Sequence, residues 1–251
     1  MKILKIIFFT LIALFTIAFL TLINSNQVTT KIFEYISQEV PLKYSKVEGS
    51  IYAGIKIVDL NYDDMVKIET VFIKSSLLPL LLKEIYIYDL NIDKISFEDK
   101  FFEFLKQEDE EKKEENEEKF DLPFTLFVEN FEASLYDFAY EEQKIDELVL
   151  KSKNISSDLK DFISAEIFTN IKSNIANLEA NINIDKNTYN LESKIDLKEY
   201  VKTTFNLQAK GDLEKVEFIL KNNALKIEQD KQTVDIKDIK LIGNYDLKSF
   251  D

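Results

Sequence analysis

Side chains able to do acid–base or nucleophilic chemistry are scarce in this 251-residue chain. It has no His and no Cys, and all 32 basic residues are lysines. The remaining candidates are adjacent acidic pairs such as Asp63-Asp64 and Glu141-Glu142. Neighbouring residues of a strand point to opposite faces, so neither pair can bring two carboxylates to one reacting centre. The sequence therefore predicts that the protein is not an enzyme and holds no cofactor or catalytic metal.

The pattern that could bind a ligand is apolar. Six residues, called the groove residues below, alternate with polar neighbours on two segments joined by the turn signal Lys186-Asn187: Leu178, Ala180, Ile182, Ile184, Ile195 and Leu197. Such alternation is typical of half-buried strands. An uncovered face of this kind could hold acyl chains, at about 0.8 kcal/mol per buried CH₂. Alternation alone favours the other solution, in which a sandwich or barrel covers the face with its own strands.

Alternating runs recur along the chain, at residues 55–57, 66–68 and 90–92. Short polar joints between consecutive runs predict an antiparallel meander, because parallel strands need long crossovers. The segment 158–175 fits either a helix or a strand, and its strict alternation favours a strand from Ala165.

One strand–turn–strand unit occurs twice. When residues 57–75 are set against residues 134–152, Asp59, Tyr62, Asp63 and Asp64 match Asp137, Tyr140, Glu141 and Glu142 at identical spacing. The segment from Lys83, KEIYIYDLNIDKISFED, is interpreted as a shorter relative of the same hairpin. A repeated β unit predicts an elongated sheet.

Residues Ile3 to Ile23 are apolar apart from Lys5 and threonines, with Leu14 near the centre. About 20 such residues span the ~30 Å hydrocarbon layer. Lys2 and Lys5 precede the run, so the positive-inside rule leaves the N-terminus in the cytoplasm and exports the rest. A cleaved signal peptide is the alternative, but its apolar region is shorter and ends in small residues. The sequence favours an uncleaved signal anchor.

The exported part begins with helical spacing from Gln27 to Val40, closed by Pro41, which predicts a helix that extends the anchor and packs on the domain. Residues 106–119, KQEDEEKKEENEEK, form a charge run best interpreted as a solvated insertion. The formal net charge of −14 opposes binding to nucleic acid. The predicted organisation is a signal anchor (1–25), a connecting helix (26–45), a first β-repeat region (46–105), an acidic insertion (106–120) and a β-groove region (121–251).

Two of the four glycines, Gly49 and Gly54, flank the segment SIYA just before the first alternating run. Glycine beside a strand marks a bulge or a tight bend, and a hairpin with glycines at its corners accounts for both.

A similar order of elements follows the anchor in the TamB family of the AsmA-like superfamily. The sequence resembles that family at Gly49, Gly54, Ile55, Ile57, Asp59 and Leu60, then at Pro79, Leu80 and Leu81, and at Ile87, Leu90 and Ile92.

The resemblance covers about residues 1 to 155, and it implies an N-terminal region or fragment of such a protein. It also implies a mainly β fold with an N-terminal transmembrane helix and an elongated, curved antiparallel sheet forming an open groove. The location would be the bacterial inner membrane, with a single pass and the bulk of the chain in the periplasm. Phospholipid would lie in the groove, and the expected partner is an outer-membrane assembly protein of the Omp85 type.

The function that the resemblance implies is phospholipid transport to the outer membrane and assembly of outer-membrane proteins. A different class of function stays open from the residues alone: a single-pass periplasmic scaffold that binds a partner by adding a strand to an exposed sheet edge.

Overall fold

The computed structural model describes residues 21–104, 125–140, 143–157, 162–198, 203–212, 215–229 and 232–246. Most of the predicted anchor, including Ile3 and Leu14, lies outside these ranges, and so do the acidic insertion and the pair Glu141-Glu142. Over the ranges described, no helix has both the length and the hydropathy to cross a membrane.

Helix α1 spans Asn26–Glu39. Ser25 caps it, because the Ser25 hydroxyl accepts a hydrogen bond from the backbone N–H of Val28, and Val40 is already extended. The helix predicted from Gln27 to Val40 is confirmed, but its expected continuity with the anchor is wrong. Residues 21–23 are helical, and residues 24–25 separate them from α1 because Ser25 starts a new helix.

Apart from a 3-10 helix at Leu78–Leu82 and the helical residues 99–104, most of the remaining described chain is one sheet of thirteen strands. The strands are β1 (Leu42–Lys43), β2 (Lys46–Ser50), β3 (Gly54–Tyr62), β4 (Val66–Ser76), β5 (Glu84–Phe97), β6 (Thr125–Tyr140), β7 (Gln143–Ser157), β8 (Phe162–Ser173), β9 (Ala176–Asp185), β10 (Thr188–Leu197), β11 (Thr203–Asp212), β12 (Lys215–Gln229) and β13 (Gln232–Asp246). From β3 onward the strands lie in sequence order, and β1 and β2 both pair with β3. The sheet is curved and does not close.

The predicted meander is confirmed, with one exception. Neighbouring strands are antiparallel except β5 and β6, which run parallel, with Ile92 opposite Ala133. A parallel pair needs a long crossover, and the acidic insertion lies in the segment that supplies it. The segment from Lys83 is not a hairpin, because residues 84–97 form the single strand β5. Residues 162–173 form strand β8, as the alternation from Ala165 predicted.

The two copies of the predicted repeat occupy equivalent hairpins, β3–β4 and β6–β7. Asp59 and Asp137, matched in sequence, both have left-handed backbones, with φ of 52° and 53°. Neither residue is paired in its ladder and neither shifts the register, so Asp59 lies opposite Glu69 and Asp137 lies opposite Asp146. The matched positions therefore share a backbone feature as well as a residue type.

The stretch with two glycines forms the β2–β3 hairpin, in which Ser50 pairs with Gly54. Gly49 has φ of 88° and Gly54 has φ of 107°, in the left-handed region that favours glycine. A Cβ at Gly49 would lie 2.1 Å from the carbonyl oxygen of Gly54. The hairpin reading of these glycines is confirmed.

Among the described elements, the largest cover of the sheet is helix α1, which lies at one end. Helix α1 contacts β1 and β2, and otherwise each described strand makes its substantial contacts with its ladder neighbours. The buried cluster is correspondingly small: Val47, Ile57 and Val71, with Phe33 of α1 packed on them. The described strands therefore build neither a sandwich nor a barrel, and the self-covered fold that alternation alone favoured is not formed.

Candidate functional site

The six groove residues share one face of the sheet. Leu178 of β9 pairs with Ile195 of β10, and Leu197 pairs with Ala176, two residues before Leu178. Directly paired residues point to the same side of a sheet, and residues two apart on a strand do the same. Asn183 follows Ile182 on the same strand and is exposed on the opposite face. The structure thus brings together all six residues that the alternation selected.

The same face continues across the whole sheet as three rows of paired residues. We call these rows the apolar face. The first row is Val47, Ile57, Val71, Ile92, Ala133, Leu150, Thr169, Ala180, Ser193, Leu207, Leu220 and Leu241. The second runs through Ile55, Ile73, Leu90, Phe131, Ser152, Ile167, Ile182, Leu191, Ala209, Phe218 and Gly243. The third contains Leu60, Ile68, Ile95, Leu135, Leu148, Ile171, Leu178, Ile195, Phe205, Asn222 and Ile239.

Burial of the apolar face falls from one end to the other. Under α1, Ile57 is 4% exposed, whereas Leu241 on β13 is 51% exposed. Between β8 and β13, the buried hydrophobic residues within the described ranges are alanines, Ala165, Ala180 and Ala209. The larger side chains there stay partly open because nothing described lies over them.

A second local cover lies near the start of the crossover. Residues 99–104 are helical and bring Phe101 within 4.5 Å of Phe97, measured between ring centroids. Phe102 packs at 5.9 Å from Phe138 of β6. These rings cover one margin of the sheet.

The opposite face is polar and carries exposed ion pairs between strands. Lys151 of β7 lies 2.9 Å from Glu132 of β6, and Lys210 of β11 lies 3.0 Å from Glu217 of β12. The Glu147 carboxylate hydrogen-bonds Lys172 and raises the pKa of that ammonium above its usual value. Both charges of each such pair remain in water, so these pairs set the register of neighbouring strands more than they stabilise the fold.

Left-handed residues interrupt the ladders near the acidic repeat. Besides Asp59 and Asp137, Lys94 on β5 and Asn154 on β7 have φ of 56° and 52°. Lys94 donates its backbone N–H to the Ser134 hydroxyl at 3.1 Å, and Ser134 donates to Asp93 at 2.5 Å. Lys94 lies at a register shift of β5 against β6, and Asn154 at one of β7 against β8. Bulges bend a strand and increase its twist, so these two residues help to produce the curvature of the sheet.

The acidic pair Asp63-Asp64 has a structural role. Both residues have positive φ, and the Met65 N–H donates to the Tyr62 carbonyl across the turn, as in a type I′ hairpin. Asp63 lies 2.8 Å from Lys100, and Asp64 lies 3.0 Å from Lys43. Hydrogen bonds from Lys43 and Asn61 hold the pKa of Asp64 below its usual value. Each carboxylate faces its own lysine, and among the described residues no acidic cluster has the geometry of a metal site.

The remaining motif residue, Pro79, is the second residue of a 3-10 helix over Leu78–Leu82. Leu78, Leu81 and Leu82 are 74%, 83% and 73% exposed. Ile23, the last residue of the predicted anchor, lines a cleft of about 920 Å³ together with Leu78 and Leu81. Of these three leucines, only Leu81 belonged to the motif of the family resemblance, and Leu78 and Leu82 were not singled out, because a run of apolar residues does not show whether it is covered.

Residues of the apolar face from β3 to β7, such as Leu148 and Leu150, were also missed as candidates. Their alternation was readable from the sequence, but its period changes at the left-handed residues Asp59, Lys94, Asp137 and Asn154.

Comparisons with known protein families, with curated proteins and with solved structures find no match to this chain. The function therefore has to be argued from the geometry above.

Proposed function

We propose that this protein is a membrane-anchored carrier whose curved sheet binds phospholipid acyl chains on its apolar face and moves them between membranes. The observation that supports it is a face of three mainly apolar rows that runs across the sheet, most of which no described element covers. Polar residues interrupt the rows at Ser152, Thr169, Ser193 and Asn222. Contiguous exposed apolar surface in a soluble domain marks a binding surface.

The dimensions suit a lipid. Strands lie about 4.8 Å apart, so the rows extend for about 50 Å across the sheet, and three rows two residues apart are about 14 Å wide. An acyl chain lying along the rows gains about 0.8 kcal/mol per CH₂ removed from water. The open side leaves the charged headgroup in water, which avoids the cost of burying an unpaired charge.

The location in this proposal is the bacterial inner membrane. Residues 3–23 form the anchor, and the sheet lies in the periplasm. Intact-mass analysis of the membrane-extracted protein should retain Met1 or the residues just after it, whereas a mature start after Ser25 would show a cleaved signal peptide. Leu14→Lys should impair insertion by about 2.5–3.5 kcal/mol, because it puts a charge at the centre of the span.

Two parts of the proposal, the direction of transport and the role at the outer membrane, are supported by the family resemblance alone. In that reading the protein delivers phospholipid towards the outer membrane and assists protein assembly there, next to an outer-membrane assembly protein.

Photo-crosslinking in cells tests lipid binding. A photoreactive amino acid at Ile182, within the second row, should capture phospholipid. The matched control is Asn183, one residue further along, whose side chain points to the polar face and should capture little. Equal capture at the two positions would contradict a lipid-binding face.

A strand-adding scaffold is the second candidate, because β13 is the last strand of the described sheet and pairs only with β12 there. A partner strand could complete this edge through backbone hydrogen bonds. Lipid extraction from the purified protein distinguishes the two functions: copurified phospholipid supports the carrier, and its absence together with edge crosslinks at β13 supports the scaffold.

A further inference from the structure

We infer that the 3-10 helix Leu78–Leu82 and the turn at Tyr52 form a membrane-docking surface that lies in the lipid headgroup region beside the anchor. We call these residues the leucine patch: Tyr52, Leu78, Leu81 and Leu82. The inference rests on the anchor of the proposed function, and it adds how the sheet is held at the bilayer.

The patch is preformed and exposed. Three leucines on five residues are more than 70% exposed, and Tyr52 is 64% exposed. Hydrogen bonds hold their backbone, from the Leu80 N–H to the Leu77 carbonyl and from the Lys83 N–H to the Leu80 carbonyl. The buried Ser50 hydroxyl accepts from the Ala53 N–H at 3.1 Å and fixes the turn that presents Tyr52. Fully burying a leucine side chain contributes about 1.5–3 kcal/mol, so such a rigid patch would gain from a cover.

The position of the patch identifies the cover as a bilayer. The apolar run in the sequence ends at Ile23, and the Ile23 carbonyl accepts a hydrogen bond from the Tyr52 N–H at 3.2 Å. Ile23 also lines the same cleft as Leu78 and Leu81. The interfacial region on each side of a hydrocarbon core is several ångströms thick, so groups in contact with the end of an anchor lie within it.

The chemistry around the patch fits an interface. Tyrosine is enriched at the headgroup level, where its ring is apolar and its hydroxyl remains wet. Lys74 lines the cleft and Lys83 ends the 3-10 helix, and both are exposed. Their ammonium groups can reach lipid phosphates while the leucines enter the apolar layer.

Single-cysteine labelling of the full chain tests this directly, because the chain has no native cysteine. Leu81→Cys and, independently, Tyr52→Cys carry an environment-sensitive fluorophore, and the protein is reconstituted in phosphatidylethanolamine–phosphatidylglycerol vesicles. Lipids with a quencher on the acyl chain should quench both probes by about threefold or more relative to Asn183→Cys on the polar face. The triple change Leu78→Ser, Leu81→Ser and Leu82→Ser should weaken quenching at position 52, because the leucines no longer draw the patch into the bilayer. It should leave the melting temperature unchanged, since these side chains are exposed.

The outcomes separate this inference from the proposed function. If the protein resists carbonate extraction but quenching at 81 and 52 equals that at 183, the docking surface is overturned and the anchor stands. If the protein is extracted by carbonate, the anchor is overturned and the docking surface with it. A third outcome is that the fluorophores at positions 81 and 52 are not quenched by lipid but become shielded from water in detergent as the protein concentration rises. That outcome would assign the patch to contact with a second copy of the chain and would overturn the membrane-docking surface.

Discussion

The two ends of the sheet carry the same apolar alternation under different cover. At the first end, α1 lies over β1 and β2, and Val47, Ile57 and Val71 are buried as a cluster. From β8 to β13 the rows continue without a described second layer, and the hydrophobic side chains buried there are alanines. Burial of large apolar side chains is the main stabilising term in folding, so stability should be concentrated near α1 and apolar binding capacity near β8–β13.

The largest effect on stability is expected from a charged residue placed in the buried cluster at the covered end. Ile57→Asp buries a carboxylate without a partner, and we expect a loss of about 4–5 kcal/mol in the free energy of unfolding. Urea denaturation followed by circular dichroism measures it, and hydrogen exchange should show lost protection in β2–β4. Ile57→Val, which removes one methylene, is the matched control at about 0.5–1.5 kcal/mol. A wild-type urea midpoint for Ile57→Asp would show that α1 does not seal this end.

Backbone geometry gives the second contrast. Gly49→Ala forces an L-residue to adopt a φ of 88° and places its Cβ 2.1 Å from the Gly54 carbonyl oxygen. That oxygen belongs to the backbone of the paired strand, so it cannot easily move away. We expect a cost of about 2–4 kcal/mol, measured as a lower melting temperature.

The control for Gly49 lies at the open end. A Cβ at Gly243 would lie 2.4 Å from the far end of the Phe218 ring, on a face with no described second layer. Since that ring can rotate into open space, Gly243→Ala should cost about 1 kcal/mol. Equal losses for the two variants would mean that the open end is packed as rigidly as the covered one.

These contrasts also explain which parts of the structure the sequence could predict. Period-two alternation identified strands such as β8, β9 and β10, and Lys186-Asn187 identified the β9–β10 turn, because both depend on local chemistry. The strand β5 was taken for a hairpin because its sequence was interpreted as a relative of the repeated strand–turn–strand unit, yet Lys94 adopts a left-handed bulge within a single strand. The parallel β5–β6 pair and the lack of a described second layer over β8–β13 are long-range properties. An alternating sequence shows that a strand has an apolar face, but it does not show which element, if any, covers that face.

The third prediction concerns function at the open end. Ile182→Asp puts a carboxylate in the second row, where water can reach it, so the unfolding free energy should fall by only about 1–2 kcal/mol. Copurified phospholipid should nevertheless drop strongly, because the charge interrupts the surface on which acyl chains lie.

Asn183→Asp is the matched variant for Ile182→Asp, since it adds the same charge one residue away on the polar face. It should change neither the melting temperature nor the lipid content, both measured on purified protein. If Ile182→Asp unfolds the protein, and the remaining folded molecules carry as much phospholipid as the wild type, Ile182 lies in a sealed core. That result would contradict the lipid-carrier function.

The smallest expected effect is on the pH dependence of stability, and it again compares the two ends. At the covered end, Lys43 and Asn61 lower the pKa of Asp64. At the open end, the Thr204 hydroxyl, donating at 2.5 Å, and Lys194, at 3.0 Å, lower the pKa of Asp196. A carboxyl group whose pKa is lower in the folded state stabilises the fold at pH values above its ordinary pKa of 3.8. That contribution is lost as the pH falls through the folded-state pKa.

The urea midpoint should therefore decrease between about pH 5 and pH 2, and Asp64→Asn or Asp196→Asn should each remove part of the decrease. Both ion pairs are open to water, which screens them, so the change should be small at either end and smaller still in high salt. A urea midpoint that rises as the pH falls over this range would show that carboxylate repulsion, and not these hydrogen bonds, dominates the acid response of the sheet.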